Sequence, residues 1–420
     1  MKQTFTHPAA GGTVAAVPSK SFLHRTLICA AMSEGKTEVR CGTVGEDVLA
    51  TADCLRALGA KIEQTPDGFT VFGGCAAESA ILPCRSSAAT LRFFLSLAAA
   101  RNTEAEFVCS EQLRQRPVAP LCTELSRHGV TIRQTETGFF CKGQLQPGAY
   151  EISGSLSSQF LSGLLLALPM LVDDSKVMLT DNIVSDPYVS LTQSVQSLFG
   201  VETQKNNPEF RIPNSEFFIP GRQTYRTPGT VIAEGDWSSA AQFLCAGAFS
   251  ETGVTVTGLS LHSVQGDRAV LSLLSRFGAE VSASDDAVTV RRSDLRGIST
   301  DASDFPDLVP LIALLGACAA GETHITGAGR LRAKESDRLR TTAQTLNALG
   351  ASITVTEDGL HILGTGKLTG GTVSSCGDHR IAMLAAVASL ACTQSVTVEG
   401  CEAVSKSYPG FFNDFSKICR

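Results

Sequence analysis

The stretch RLRAKESDRLR, residues 330–340, carries seven charged side chains in eleven positions, in a chain where Asp, Glu, Lys and Arg make up only 18%. Two readings of it are open. Lys334 and Glu335 stand four and three residues before Arg338, the spacing of surface neighbours on a solvated helix, where such pairs are worth only a few tenths of a kcal/mol. The alternative is an anion site, because guanidinium groups grip carboxylates and phosphates bidentately. Other segments carry the same chemistry: Lys20, Ser21 and Arg25 in PSKSFLHR, Arg116 in LRQRP, and Ser157, Ser158 and Gln159 in SGSLSSQ. Asp307 in FPD, Arg380 in GDHR and Lys406 in SKSYPGFF complete the set. Several of these stand just ahead of apolar runs, where serine hydroxyls and unpaired backbone N–H groups of a helix start bind anions.

Composition limits what such sites serve. The formal net charge of −6 argues against nucleic acid as the main partner, since a phosphate-tracking surface shows a basic excess. Any anion site must therefore be local. With 43% apolar residues and 38 glycines the chain reads as compact and globular, and 420 residues exceed what one core organises, so two or more domains are expected. The start, MKQTFTHPAAGGTVAAV, has no apolar run after a basic segment, which predicts no secretory signal and a cytoplasmic protein. The runs FLSGLLLALPML and LVPLIALLGACAA fall short of the roughly 20 residues a membrane span needs and read as buried helices. Fourteen cysteines are scattered without a C-x-x-C pair or a histidine at ligand spacing, which predicts free thiols in a reducing compartment and no metal.

The elements that must position these residues repeat. Phrases such as CLRALGAKIEQTPDGFTVFG, LLSRFGAEVSASDDAVTVRR and TLNALGASITVTEDGLHILG recur, with helix-ending glycines at Gly59, Gly129, Gly200, Gly278 and Gly350, separated by 70, 71, 78 and 72 residues. Each phrase predicts a helix stopped by a left-handed glycine, an alternating strand, a tight turn and a second strand. Between phrases lie apolar helices such as TLRFFLSLAAA and DHRIAMLAAVASLA. The unit is β-α-β-α-β-β. A sixth helix, FFNDFSKI, ends where its glycine is due, and the N-terminal KQTFTH strand can supply the missing part. Six units in two groups of three follow, with both chain ends in one group.

In this order, over nearly the whole chain, the motifs resemble the enolpyruvyl transferase family, and within it the branch acting on shikimate-3-phosphate. The resemblance implies a two-domain inside-out α/β barrel, with residues 14–226 as a middle domain and 1–13 with 227–420 as a terminal domain. It implies transfer of the enolpyruvyl group of phosphoenolpyruvate (PEP) to the 5-hydroxyl of shikimate-3-phosphate with release of phosphate, without metal or organic cofactor, by a monomer. Together the two substrates bring roughly six negative charges, for which clustered guanidinium and ammonium groups are the physical answer. By resemblance, Lys20, Arg116 and Lys406 face PEP, Arg338 and Arg380 hold its carboxylate, and Gln159 and Ala88 lie nearby. Lys20, Ser21, Arg25, Ser157, Ser158, Ser185, Tyr188, Asp307 and Lys334 would hold shikimate-3-phosphate. Asp307 would be the base, Glu335 the acid, and Lys20 a third catalytic group.

Four features depart from the commoner family pattern: Ser86 and Ala88 in SSAATLR, Arg330 in place of an asparagine, and the absence of a glycine after Pro18. Two alternatives stand beside this reading. One is transfer to UDP-N-acetylglucosamine, which would call for a loop cysteine near PEP, and Cys109 is the candidate. The other is a non-catalytic relative that binds a phosphorylated ligand. Ser157, Ser158 and Asp378 are also read as plain helix caps, and His379 as either a substrate-orienting or a structural group.

Overall fold

A computed structural model describes residues 1–6, 9–206 and 215–419. The chain divides into two compact units, Met1–Val17 with Glu234–Arg420, and Pro18–Ala233, each with its own apolar core.

Each unit holds three helices that are buried on nearly every side, so each must be covered all round. In Pro18–Ala233 these are Lys20–Met32, Ala88–Ala100 and Ser158–Ala167. The other unit has Trp237–Gly247 and His379–Ala388, in which every residue is buried, and Val309–Cys318, buried except for its last residue. Ala, Gly, Ser and Cys in these segments let backbones approach closely. The second helix of each repeat is amphipathic instead. Val270–Phe277 buries Val270, Leu273, Leu274 and Phe277, the i, i+3, i+4, i+7 stripe of a helix packed on one side. All five expected stop glycines have positive φ, between 72° at Gly200 and 104° at Gly59.

The strands form six small sheets among the described residues, and five share one order. Ser79–Arg85 runs parallel to Glu104–Cys109, which pairs antiparallel with Gly138–Lys142, which pairs antiparallel with Thr131–Gln134. In the sixth, Gly371–Ser374 runs parallel to Val396–Glu399, and the third strand is Lys2–Phe5 from the other end of the chain, with Lys2 opposite Glu399. The N-terminal strand thus completes the last repeat.

The unit boundaries differ from the sequence expectation, for a reason of strand pairing. Gly12–Ala15 pairs parallel with Val254–Thr257, so residues 14–17 stay with the terminal group. Thr230–Ile232 pairs parallel with Glu38–Arg40, which keeps residues 227–233 with the middle one. The divisions fall at 17/18 and 233/234 rather than 13/14 and 226/227. Among the described residues no helix is long and apolar enough to cross a membrane, and all fourteen cysteines are free.

The hairpin glycines have a steric origin. A Cβ at Gly68, Gly138 or Gly359 would stand 2.1, 1.9 or 1.8 Å from the carbonyl oxygen of Val39, Phe107 or Ile325 on the neighbouring strand. Backbone cannot yield as a side-chain tip does. Gly359→Ala is therefore expected to destabilise by about 1–3 kcal/mol, read as a lower denaturant midpoint, and an unchanged midpoint would refute the clash.

Candidate active site

The unit with both chain ends gathers the charged stretch. Residues 330–340 do not form one helix: Gly329–Ala333 is a 3-10 turn, and the α-helix begins only at Arg338, capped by Asp337, which accepts from the Arg340 N–H. This excludes the solvated-face reading, because Arg338 is 1% exposed. Its Nη1 donates to Asp307 Oδ1 at 2.8 Å, its Nη2 to Glu335 Oε2 at 2.7 Å, and its Nε to Asp378 Oδ2 at 3.0 Å. Asp378 also caps the buried helix His379–Ala388 through the Arg380 N–H at 2.9 Å. It is both a cap and an ion-pair partner. Arg380 donates from Nη1 to the Ser238 carbonyl at 2.9 Å and from Nη2 to Asp307 Oδ2 at 3.3 Å. Lys406 Nζ lies 3.9 Å from Glu335 Oε1.

Asp307 therefore sits between two guanidiniums, at the 3-10 turn that leads into Val309–Cys318. Burial pushes its carboxyl up, but Arg380, Lys334 and Arg338 together outweigh burial and hold it well below the usual carboxylate range. Burial lowers the Arg338 pKa, and Asp378, Glu335 and Asp307 more than reverse this. All six residues expected from this unit, Asp307, Lys334, Glu335, Arg338, Arg380 and Lys406, thus belong to one electrostatic network.

Sequence reasoning missed Asp267. It is fully buried, accepts a hydrogen bond from the Ser238 hydroxyl, and is pushed up to about 7 by burial and by the charge of Asp307. An aspartate in QGDRAV carries no local mark that distinguishes it from a turn residue.

In Pro18–Ala233 the three buried helices start at serine caps: Ser19, Ser87 and Ser157 accept from the N–H groups of Phe22, Thr90 and Gln159. Lys20 and Ser21 open the first helix, and Lys20 Nζ meets Asp47 Oδ2 at 2.9 Å. Arg25, one turn on, is 3% exposed. It donates to Thr192 Oγ1 at 2.7 Å, Ser162 Oγ at 3.3 Å, and the carbonyls of Ser21 and Tyr188 at 2.8 and 3.0 Å. Among the described residues it makes no ion pair with a carboxylate. Burial lowers it to about 10, still far above neutrality, so it remains a cation whose charge the protein leaves unbalanced.

Ser185 occupies the N-cap position of the helix Asp186–Leu198 without a side-chain capping bond, with φ +56° in the left-handed region, and Tyr188 lies in that helix's first turn. Ser158 is buried behind Ser157. Arg116 is half-buried beyond the short helix Glu111–Arg114. Ala88 opens the helix behind Ser87, is 6% exposed, and packs in the apolar core. Of the other departures, Ser86 Oγ bonds Ser110 Oγ at 3.0 Å, and the Arg330 guanidinium donates to the Ser303 carbonyl.

A second residue missed from sequence is Arg92, at the end of SSAATLR. It donates to Gln159 Oε1 at 2.7 Å, to Ser157 Oγ at 3.3 Å, and to the Pro117 carbonyl at 2.9 Å. One buried guanidinium so fixes the start of the third helix and the loop carrying Arg116. Its signal lay in the motif itself, read only for Ser86 and Ala88.

The family model for EPSP synthase (3-phosphoshikimate 1-carboxyvinyltransferase) matches residues 7–415. The chain belongs to the EPSP synthase family. A 3-phosphoshikimate 1-carboxyvinyltransferase from Clostridium kluyveri is 38% identical over 412 residues, covering 97% of this chain and 95% of the relative. One of the same name from Clostridium novyi is 37% identical over 420 residues, with the same coverage. An EPSP synthase structure from Acinetobacter baumannii superposes with a TM-score of 0.81 at 26% identity, covering 100% of this chain and 98% of that one. The enolpyruvyl transferase NikO from Streptomyces tendae shares the fold, with a TM-score of 0.79 at 22% identity over the same shares of the two chains.

Within the EPSP synthase family frame, Cys109 does not have the character of a reactive thiol. Interaction with the Cys84 thiol and burial push it far above its ordinary range, which opposes the thiolate. This weighs against the reading that needs a loop cysteine.

Asp267 yields a pH prediction. A carboxyl near 7 in the folded state and about 3.9 in the unfolded chain binds more protons when folded, so its contribution makes stability fall as pH rises between those values. Asp267→Asn cannot ionise and is expected to flatten that slope, gaining on the wild type towards pH ~8. Denaturant midpoints of both proteins from about pH 4 to 8 check this, and parallel curves would count against it.

Proposed function

We propose that this chain transfers the enolpyruvyl group of PEP to the 5-hydroxyl of shikimate-3-phosphate and releases inorganic phosphate. The observation that carries the reading is the pair of carboxylates held by cations an anionic substrate would claim: Asp307 by Arg338 and Arg380, and Glu335 by Arg338 and Lys406.

Arg338 and Arg380 are assigned to the PEP carboxylate, and Lys406, Lys20, Arg116 and Gln159 to PEP. Ser21, Arg25, Ser157, Ser158, Ser185, Tyr188 and Lys334 are assigned to shikimate-3-phosphate. The uncompensated charge of Arg25 supports a phosphate partner for that half. When the PEP carboxylate engages Arg338 and Arg380, those groups share their charge with it, and the proton affinity of Asp307 rises. Substrate binding thereby turns a tightly ionised aspartate into a competent base.

The proton of the 5-hydroxyl passes to Asp307 as its oxygen bonds to the central carbon of PEP, while Glu335 protonates the methylene carbon to a methyl group. In the tetrahedral intermediate the bond from that carbon to the phosphate oxygen then breaks. Phosphate leaves as the methyl group returns a proton to Glu335 and the enol ether forms. Lys20 and Arg116 steady the departing phosphate. Positioning and fixed charge supply most of the rate. The enzyme is read as a monomer acting in the cytoplasm without metal or organic cofactor, and fourteen free thiols suit that compartment.

Phosphate release that requires both substrates, with enol ether product detected, tests the activity and separates it from both alternatives. Asp307→Asn and Glu335→Gln are expected to cut kcat by about 10²–10⁴, while keeping substrate affinity within about tenfold. Lys20→Met should impair both. Near wild-type turnover in Asp307→Asn and Glu335→Gln would overturn the assignment.

Ala88 adds a methyl group where the family's motif has glycine, beside the position assigned to PEP. Glyphosate, a phosphonate longer than PEP, is expected to be rejected more strongly than the substrate. Ala88→Gly should tighten glyphosate inhibition roughly tenfold, about 1.4 kcal/mol, with KM for PEP nearly unchanged. Equal inhibition constants for the two proteins would show that the methyl group serves only the core.

A further inference from the structure

The sheet built from Ser299–Asp301, Glu322–Thr326, Leu360–Leu363 and Ser352–Val355 has two faces of different character. Thr323, Ile325, Leu360 and Ile362 are buried on one. The other brings together Glu322, His324 and His361. His324 and His361 are direct partners across neighbouring antiparallel strands, and Glu322 lies two residues from His324 on the same face. The imidazoles stack with centroids 4.5 Å apart and 13° between planes. Both Nε2 atoms point at one carboxylate oxygen: Glu322 Oε2 is 3.1 Å from His361 Nε2 and 3.3 Å from His324 Nε2.

We propose that Glu322, His324 and His361 form a binding site for a borderline divalent metal ion of the Zn²⁺ class, held by two imidazole nitrogens and one carboxylate oxygen.

The geometry suits this. Ligand atoms about 2.1 Å from a tetrahedral ion stand roughly 3.4 Å from each other. The two nitrogen–oxygen separations are already close to that, and one ligand atom from each of the three residues lies within 4.8 Å of the others. Because the rings are stacked and nearly parallel, at least one imidazole must turn for both nitrogens to face the ion, a side-chain movement that leaves the strands in place. Two nitrogens and one oxygen favour Zn²⁺, Ni²⁺ or Cu²⁺ over Mg²⁺ and Ca²⁺, which take oxygen ligands. Two neutral imidazoles and one carboxylate leave one positive charge on a zinc complex, with water in the fourth position. Among the described residues no protein group receives a bond from either Nδ1, so the site lacks the outer acceptors that strengthen zinc centres, and moderate affinity is expected. His361 stands 37 residues beyond His324, too far for a spacing motif. Strand register assembles them.

The test uses the full chain, stripped with a chelator and titrated with Zn²⁺ by calorimetry, then with Co²⁺ followed by absorption. The wild type is expected to bind one Zn²⁺ per chain, and its Co²⁺ complex to lack the intense near-ultraviolet band of a thiolate ligand. His324→Ala and His361→Ala should each weaken binding at least tenfold, the lower bound set by losses of mere supporting groups. Both side chains lie on an exposed face, so circular dichroism and the rate of phosphate release without metal should match the wild type. No saturable uptake, undiminished binding in both variants, or a thiolate band placing the ion on cysteines such as the exposed Cys376 would overturn the proposal.

Discussion

Burying the Arg338 guanidinium strips it of water, and three carboxylates replace that hydration. The constraint runs through the whole terminal unit. Asp378 caps one buried helix, Asp307 stands at the turn that starts another, Glu335 lies in the link before the amphipathic helix, and Arg338 is that helix's first residue. One cation fixes the starts of three helices. Removing one partner of such a buried group commonly costs about 3–5 kcal/mol, because the charge left behind stays buried. The network thus couples the integrity of the unit to the groups assigned above to substrate.

The other unit solves a different electrostatic problem. Its buried helices begin at neutral serine caps rather than aspartates, and Arg25 is satisfied by hydroxyls and carbonyls that carry no net charge. Hydrogen bonds hold the group in place while its field remains open to an anion. One unit therefore presents a buried cation without a carboxylate partner among the described residues, and the other a network in which carboxylates and cations alternate.

The repeat was legible in the sequence because its signals are local: a stop glycine, an alternating strand and a turn each declare themselves within about ten residues. The unit boundaries were not, since whether residues 14–17 or 227–233 belong to one unit or the other is settled by pairing with Val254–Thr257 and Glu38–Arg40. The same distinction governs the site. Asp307, Glu335 and Arg338 stood out as charge in an apolar chain. Asp267 and Arg92 gain their meaning from partners that folding brings to them, and residues 330–340 looked helical because charge spacing does not reveal a cap at Asp337.

The strand Lys2–Phe5 pairs with Val396–Glu399. During synthesis it is made well before its partner, which follows 394 residues later, counting from Lys2 to Val396. At about 5–20 residues per second that interval is roughly 20–80 s. Pro18–Ala233 has all its strands available long before then and can close its core while the rest of the chain is being made. The terminal unit must carry an unpaired edge throughout. Closing that last sheet is therefore the late step in completing the terminal unit.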